Sequence, residues 1–238
     1  MITYGLIGKN LSHSFSATYF QEKFLREKIS KTQYLNFELK HISEFPKLIE
    51  ERKISGLNVT IPYKEKIIPF LDNLTDSAKS IGAVNTIEMK ENKLIGHNTD
   101  IIGFTKGITP MLGNRNKALI LGNGGSAKAV KHALNKLNIE HKTVSRKTSF
   151  NYSDITPKTI GYYDIIINTT PIGMYPEIDK YPQIPYQYLN KKHLLYDLIY
   201  NPVKTLFLYY GEKYKCEIKN GLDMLQIQAE ESWSIWTL

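Results

Sequence analysis

The sequence predicts an α/β protein built in two parts. Two kinds of observation carry this. Short apolar runs of strand length alternate with stretches of helical periodicity along the 238 residues. Two of those runs, 118–121 and 163–168, are of the kind buried in a parallel sheet, the second with Ile165, Ile166 and Ile167 in succession. The first passes at once into a glycine turn, Gly122-Asn123-Gly124-Gly125-Ser126-Ala127. A helix follows, with apolar residues at Ala127, Val130, Ala133, Leu134 and Leu137.

Taken in order, residues 2–7 read as a strand ending at Gly8. A polar loop with Ser14 and Ser16 follows, and Ser16 can cap a helix whose apolar positions are Tyr19, Phe20, Phe24 and Leu25. A strand over 34–39 and a helix over 43–52 come next. Residues 57–61 are strand-like, Pro62 stops the ladder, and 63–71 turns helical. That brings Asn58, Thr60 and Lys64 to the end of a strand in an α/β unit, where ligands bind. Lys64 is either a surface lysine at a helix start or an ammonium able to bind an anion or exchange a proton. Segments 81–88 and 93–96 form a hairpin around Glu91-Asn92. A helix over 101–112 follows; Asp100 is its N-cap, or one half of a lysine–carboxylate pair with Lys64.

Beyond the glycine turn a second strand spans 142–145, and residues 149–161 read as irregular. The strand 163–168 closes in a loop carrying Thr169, Thr170 and Met174. A tyrosine- and proline-rich loop runs over 175–187. Strands over 194–198 and 216–218, a helix through Phe207 and Leu208, and a terminal helix from Gly221 complete the chain.

Strand, G-x-G-x-x-A turn and helix together are the context in which this fingerprint means dinucleotide binding. Gly122 allows the tight turn, Gly124 lets backbone approach a pyrophosphate, and Ala127 lets the helix pack close to its strand. The positive end of the helix then faces the phosphates. An NAD site places Asp or Glu at the end of the next strand, about 20 residues on. Here the chain reads Ser145-Arg146-Lys147. A guanidinium and an ammonium suit the 2′-phosphate of NADP(H), with Ser145 adding a hydrogen bond. The plainer alternative is a solvated basic turn.

Composition narrows the class. Hydrophobic residues make up 42% of the chain, enough for a sizeable core. No apolar run approaches the ~20 residues of a membrane span, and no signal peptide is visible. One cysteine, Cys216, allows no internal disulfide and no cysteine-based metal site. These features predict a cytoplasmic protein with no metal. The net charge of +8 is spread among glutamates, without an arginine-rich or basic-aromatic block, so no nucleic-acid partner is expected.

The motifs in their joint order resemble the shikimate dehydrogenases from end to end. They are His13-Ser14-Phe15-Ser16, Asn58-Val59-Thr60-Ile61-Pro62-Tyr63-Lys64, Gly82-Ala83-Val84-Asn85-Thr86 and Asn98-Thr99-Asp100. The glycine turn, the basic turn at Arg146 and Asn168-Thr169-Thr170-Pro171-Ile172-Gly173-Met174 follow. Asp197-Leu198-Ile199-Tyr200-Asn201-Pro202 and the stretch from Gly221 to Gln228 complete the set. The resemblance implies an N-terminal α/β substrate domain over 1–101 with 219–238, the terminal helix returning to it, and a Rossmann-type NADP domain over 102–218. It implies reversible reduction of 3-dehydroshikimate to shikimate with NADPH, in aromatic amino-acid and chorismate biosynthesis, by a monomer or homodimer. Lys64 and Asp100 would be the catalytic pair. Ser14, Ser16, Asn58, Thr60, Asn85, Tyr200 and Gln228 would surround the substrate. Gly122, Asn123, Gly124, Gly125, Ser126, Ala127, Ser145, Arg146, Lys147, Thr169, Thr170, Met174, Leu198, Gly221 and Met224 would meet the cofactor. A quinate/shikimate dehydrogenase with broader polyol or cofactor use, and a non-catalytic NADP-sensing module, are the alternatives. The sequence departs from the family pattern at Ala17, where Pro is usual, at Asn123 and Ser126, where alanines are usual, and at Ser145-Arg146-Lys147, where Asn-Arg-Thr is common. The chain is also short, with trimming expected over 148–190.

Overall fold

In the computed structural model, which describes residues 1–12, 14–146 and 149–238, the chain divides into two units. The first is Met1–Thr99 with Ala229–Leu238, and the second is Asp100–Gln228. Residues 219–228, expected with the first unit, group with the second.

The first unit opens with strand β1 (Ile2–Gly8), helix α1 (Phe15–Arg26) and strand β2 (Thr32–Glu38). The N-cap of α1 is Ser14 rather than Ser16: the Ser14 Oγ accepts the Ser16 N–H at 3.3 Å. Leu25, expected on the apolar face, is exposed. Helix α2 (Phe45–Glu51) and strand β3 (Gly56–Val59) follow. Residues 63–71 are turns ending in a short 3₁₀ segment, Ile68–Phe70, rather than an α-helix. Pro69 sits inside that stretch, lacking an N–H and crowding the carbonyl one turn back. Strand β4 (Asn73–Leu74), helix α3 (Asp76–Ile81) and strands β5 (Thr86–Lys90) and β6 (Lys93–His97) complete the N-terminal part. Glu91 and Asn92 join β5 to β6 with φ of 50° and 60°, the paired left-handed geometry of a two-residue hairpin turn.

The sheet order is β2-β1-β3-β5-β6-β4, with β1 parallel to β2 and β3, and β5 antiparallel to both its neighbours. Both faces are buried. Ile7, Leu57, Val59 and Ile87 pack with Phe45, Ile67 and Val84 on one side. Tyr4 and Leu6, alternating with Ile7, pack with Phe20, Phe24 and Tyr34 on the other. The C-terminal segment supplies Ala229, Trp233 and Trp236 to that second face, and Trp236 stacks on Tyr4 at 4.9 Å. Lys23, only 3% exposed, is held by Glu230 at 2.7 Å and Glu27 at 2.8 Å; Tyr19 also donates to Glu230. A buried ammonium is tolerable only with such partners.

The second unit begins with helix α4 (Asp100–Ile108), strand β7 (Lys117–Leu121), helix α5 (Gly125–Lys136) and strand β8 (Glu140–Val144). The stretch expected to be irregular contains a short helix, α6 (Pro157–Tyr162). The Thr156 side chain caps it by accepting from Thr159 N, and Pro157 starts it. Strands β9 (Ile165–Asn168) and β10 (Leu194–Asp197), helix α7 (Leu206–Lys213), strand β11 (Glu217–Lys219) and helix α8 (Leu222–Thr237) follow. The five strands are all parallel, in the order β11-β10-β9-β7-β8. Counted within the unit this is 5-4-3-1-2, so the chain reverses direction between β7 and β9. Ligands of open α/β sheets bind outside the carboxyl ends of the strands at such a point. Leu119, Leu121, Ile166, Leu195 and Phe207 lie in the core. Among the described residues, no helix is long and apolar enough to cross a membrane.

Candidate functional site

The best-defined part of the site lies at the reversal point of the second sheet. Leu121 ends β7, and Gly122 follows with φ +111°, a backbone state that an L side chain rarely adopts. A Cβ placed there would lie 2.6 Å from Thr169 Oγ1 and 2.9 Å from Thr170 Cγ2. Gly122, Thr169 and Thr170 therefore meet at the ends of adjacent strands. Thr169 N–H and Oγ1 both donate to Leu121 O, at 2.9 and 2.7 Å. Gly124 is the N-cap of α5, offers no side-chain cap, and faces open space: nothing lies within 4 Å of a Cβ built on it. An exposed, uncrowded turn ahead of a twelve-residue helix is the cradle that a pyrophosphate requires. The residues present thus fit a dinucleotide. Ala127 is fully buried beneath the turn, as close helix–strand packing demands.

Two residues that sequence reasoning missed support this cradle. Lys131, on α5, donates to Asn123 Oδ1 at 2.8 Å and places a cation next to the glycine turn. Burial and the neighbouring Lys128 hold its pKa below the usual lysine value. Spacing gave no hint of this contact, because a lysine eight residues after Asn123 reads as ordinary helix surface. The second is Asp197, at the end of β10 and fully buried. It accepts from Thr205 Oγ1 at 2.6 Å, Asn168 Nδ2 at 3.0 Å and Ile199 N at 3.0 Å. Asn168 in turn accepts from Thr170 N at 3.1 Å and Thr170 Oγ1 at 2.7 Å. Desolvation lifts the Asp197 carboxyl to about 7, against the lowering effect of its three donors. An acid ending an otherwise apolar strand, Leu194-Leu195-Tyr196-Asp197, is the signal that could have marked it.

Ser145 is buried just past β8, and its N–H donates to Phe150 O at 3.3 Å, closing the turn that carries Arg146. Arg146 is exposed there; burial raises the pKa of the Tyr152 phenol, and the Arg146 charge offsets part of that rise. Lys147 and His13 lie outside the described residues. Leu198 is half-buried and donates its N–H to Asn168 O at 3.0 Å; Met174 is exposed. Gly221 donates to Ile199 O at 3.0 Å, and a Cβ on it would collide with the Leu198 backbone. Met224 is buried on α8, its carbonyl 2.7 Å from where a Cβ on Gly103 would lie. Tyr200 is half-buried in the loop after β10, and Gln228 Nε2 donates to Leu225 O at 2.9 Å. Asp100, 5% exposed, opens α4, where the helix dipole favours its charge.

In the first unit, Ser14 and Ser16 follow β1, while Thr60 and Lys64 follow its neighbour β3. Thr60 is pinned by its N–H to Ile7 O at 2.9 Å. Lys64 is half-buried, and its carbonyl accepts from Val84 N at 2.7 Å. Asn85 is 2% exposed. It accepts from Thr99 N at 2.7 Å and donates to Thr99 Oγ1 at 2.9 Å. Asn58 is 5% exposed and accepts from Tyr34 Oη at 2.8 Å. A recess of about 300 Å³ bounded by Lys9, Lys40, His41 and Lys66 is also lined by Pro62 and Tyr63 but by none of the candidate site residues. Among the described residues, no three His, Cys, Asp or Glu side chains gather as a metal site.

A family model described as the shikimate dehydrogenase substrate binding domain matches residues 6–87. A Staphylococcus epidermidis protein named shikimate dehydrogenase (NADP(+)) is 38% identical over 250 aligned residues, covering 99% of this chain and 91% of the relative. A solved shikimate dehydrogenase in complex with NADP+ superposes with a TM-score of 0.87 at 33% identity, covering 100% of this chain and 90% of the other. The shikimate 5-dehydrogenase of Thermus thermophilus, in complex with NADP(H) and shikimate, gives 0.86 at 25% identity, covering 100% and 94%.

Proposed function

The chain belongs to the shikimate dehydrogenase family, and from that premise we infer how its own residues carry the reaction. It is an NADP-dependent oxidoreductase that reversibly reduces 3-dehydroshikimate to shikimate, a step of aromatic amino-acid biosynthesis. The observation that carries the reading is a likeness spanning the substrate-type motifs and the nucleotide cradle alike.

Substrate binding belongs to the first unit together with Asp100, Tyr200 and Gln228, and NADP(H) binding to the rest of the second. Gly122, Asn123, Gly124, Gly125, Ser126 and Ala127 hold the pyrophosphate through backbone N–H groups and the α5 dipole. Ser145, Arg146 and Lys147 hold the 2′-phosphate. Thr169, Thr170, Met174, Leu198, Gly221 and Met224 shape the nicotinamide end. When bound, NADPH supplies the hydride for the ketone carbon.

The ketone oxygen must gain a proton as the carbon gains hydride. Lys64 donates that proton in reduction and takes it back in oxidation, and Asp100 stabilises the ammonium. Ser14, Ser16, Thr60, Asn85, Tyr200 and Gln228 bind the carboxylate and hydroxyls of the substrate. Ser14 suits this, because its Oγ accepts from the Ser16 N–H and its O–H proton can still point to an anion. The free, buried Cys216, whose thiol burial pushes up to about 11, supports a cytoplasmic setting. The enzyme acts as a monomer or homodimer, which light scattering would test.

A spectrophotometric assay of shikimate with NADP+ and then NAD+ tests the reading; NADP+ should be reduced far faster. Lys64→Ala should cut kcat by roughly 10²–10⁴-fold, the usual effect of losing a general acid or base. Asp100→Asn should also be slow, and the double variant little worse than the worse single one. A raised KM with near-normal kcat for Lys64→Ala would reduce that lysine to a binding group.

A further inference from the structure

We infer that Tyr34 and Ser232 are positioning residues of the substrate pocket: they clamp the Asn58 carboxamide from its two ends and so hold Asn85 in place. The inference rests on the substrate role proposed above for Asn85.

Asn58, in the middle of β3, sits where the family resemblance calls for a residue that contacts substrate. Its side chain is already committed. Oδ1 accepts from Tyr34 Oη at 2.8 Å. Nδ2 lies 2.9 Å from Ser232 Oγ, 3.2 Å from Thr86 Oγ1 and 3.3 Å from Asn85 O. A primary amide has two N–H groups, and here three acceptors share them. Both N–H groups are thus engaged within the protein, and Oδ1 keeps one lone pair for a substrate hydroxyl. The amide's orientation is also fixed by chemistry, because the Asn85 carbonyl can only accept. Nδ2 must face it, and the Tyr34 hydroxyl must then donate to Oδ1.

One end of the clamp is anchored in the aromatic core, and the other leads on to a substrate residue. Tyr34 is 1% exposed and stacked on Phe20 with ring centres 4.4 Å apart, so its hydroxyl is held against Asn58 Oδ1. At the other end, Ser232 is fully buried, 2.7 Å from Thr86 Oγ1 and 3.3 Å from Thr99 Oγ1. Thr99 then holds Asn85 through both ends of that amide. Tyr34, Asn58, Ser232, Thr99 and Asn85 thus form one connected polar chain through the first unit. In a low-dielectric interior such a chain specifies one arrangement when complete and is costly when a member is lost. Tyr34 and Ser232 touch no substrate in this scheme; they act through Asn58 and its neighbours.

The experiment is steady-state kinetics with thermal melts on Tyr34→Phe, Ser232→Ala and the double variant. Each single change deletes one hydroxyl. The KM for shikimate should rise roughly tenfold, as for loss of about one well-made hydrogen bond, while the KM for NADP+ stays within about twofold. The double variant should raise the shikimate KM by less than the product of the single effects, because one clamp is broken either way. A lowered Tm with unchanged shikimate KM in the variants would make the network merely structural and overturn the inference. So would an equal rise in both KM values, or failure of both single variants to fold. Wild-type protein that oxidised no shikimate would instead overturn the functional reading itself.

Discussion

Asp197 is a residue whose chemistry is set far from its ordinary state. Its carboxyl is wholly buried, and desolvation raises its pKa from the usual value near 3.8 to about 7. In the unfolded chain it is ionised well below neutrality, while in the fold it keeps its proton longer. Between pH about 4 and 7 the folded state therefore binds more protons than the unfolded one, and stability falls as pH rises, by at most about 1.4 kcal/mol per pH unit. Above pH about 7 both states are ionised and the slope vanishes. His132 and His141, with pKa values lowered chiefly by burial, give the opposite slope in part of the same range. Asp197→Asn isolates the effect: relative to wild type the variant should gain stability as pH is raised from 5 to 8. Urea midpoints across that range measure it, and a constant difference between the two proteins would mean that Asp197 titrates normally. Because Asp197 ties Asn168, and through it Thr170, to Ile199 and Thr205, its protonation bears on the loops proposed to hold the cofactor as well as on the fold.

At the scale of elements, the β7–turn–α5 unit joins conformation and binding at one position. Gly122→Ala faces two obstacles at once, a φ of +111° and a Cβ 2.6 Å from Thr169 Oγ1. Strain of about 1–3 kcal/mol is the usual scale for such a backbone state in a non-glycine residue. The threonine pair must also move, so Gly122→Ala should lower Tm and raise the KM for NADP+ more than that for shikimate. Equal changes in the two KM values would separate the turn from the cofactor. This unit was legible from sequence because every signal in it is local: an apolar run, three glycines, then helical spacing. The hairpin at Glu91-Asn92 was legible for the same reason. The 63–71 stretch misled because its apolar spacing masked the effect of Pro69. Helix α6 was overlooked because it is only six residues long, too short to show periodicity, although Thr156 and Pro157 spell out its start. The clamp on Asn58 had no sequence signature at all. Ser232 lies 174 residues from Asn58, and only the fold brings Ser232 and Tyr34 to one amide.

At the scale of the whole molecule, the chain carries two tryptophans, Trp233 and Trp236, and both lie in the segment that returns to the first unit. Trp236 stacks on Tyr4 and donates from Nε1 to Ile87 O at 3.0 Å; Trp233 meets Tyr4 edge-on at 5.3 Å. Tryptophan fluorescence therefore reports the first unit's core and is blind to the second, whose buried aromatics include Phe104, Tyr163, Tyr186, Tyr196 and Phe207. Far-UV circular dichroism reports both. Each unit closes its own sheet around its own apolar cluster, which is the condition for a domain that folds as a unit. Urea unfolding followed by the two signals should then give transitions that do not coincide. NADP+ separates them further. At a concentration about 100 times its Kd, a ligand that binds only the folded form adds about 2.7 kcal/mol. If the second unit alone holds the cofactor, that gain should move part of the circular-dichroism transition to higher urea and leave the tryptophan transition nearly in place. If shikimate is held chiefly through Ser14, Ser16, Thr60, Lys64 and Asn85 of the first unit, it should do the reverse. Coincident transitions that shift together with either ligand would instead mean that the two units unfold as one cooperative body, and the separate assignment of cofactor and substrate would then need variants rather than denaturant to test it.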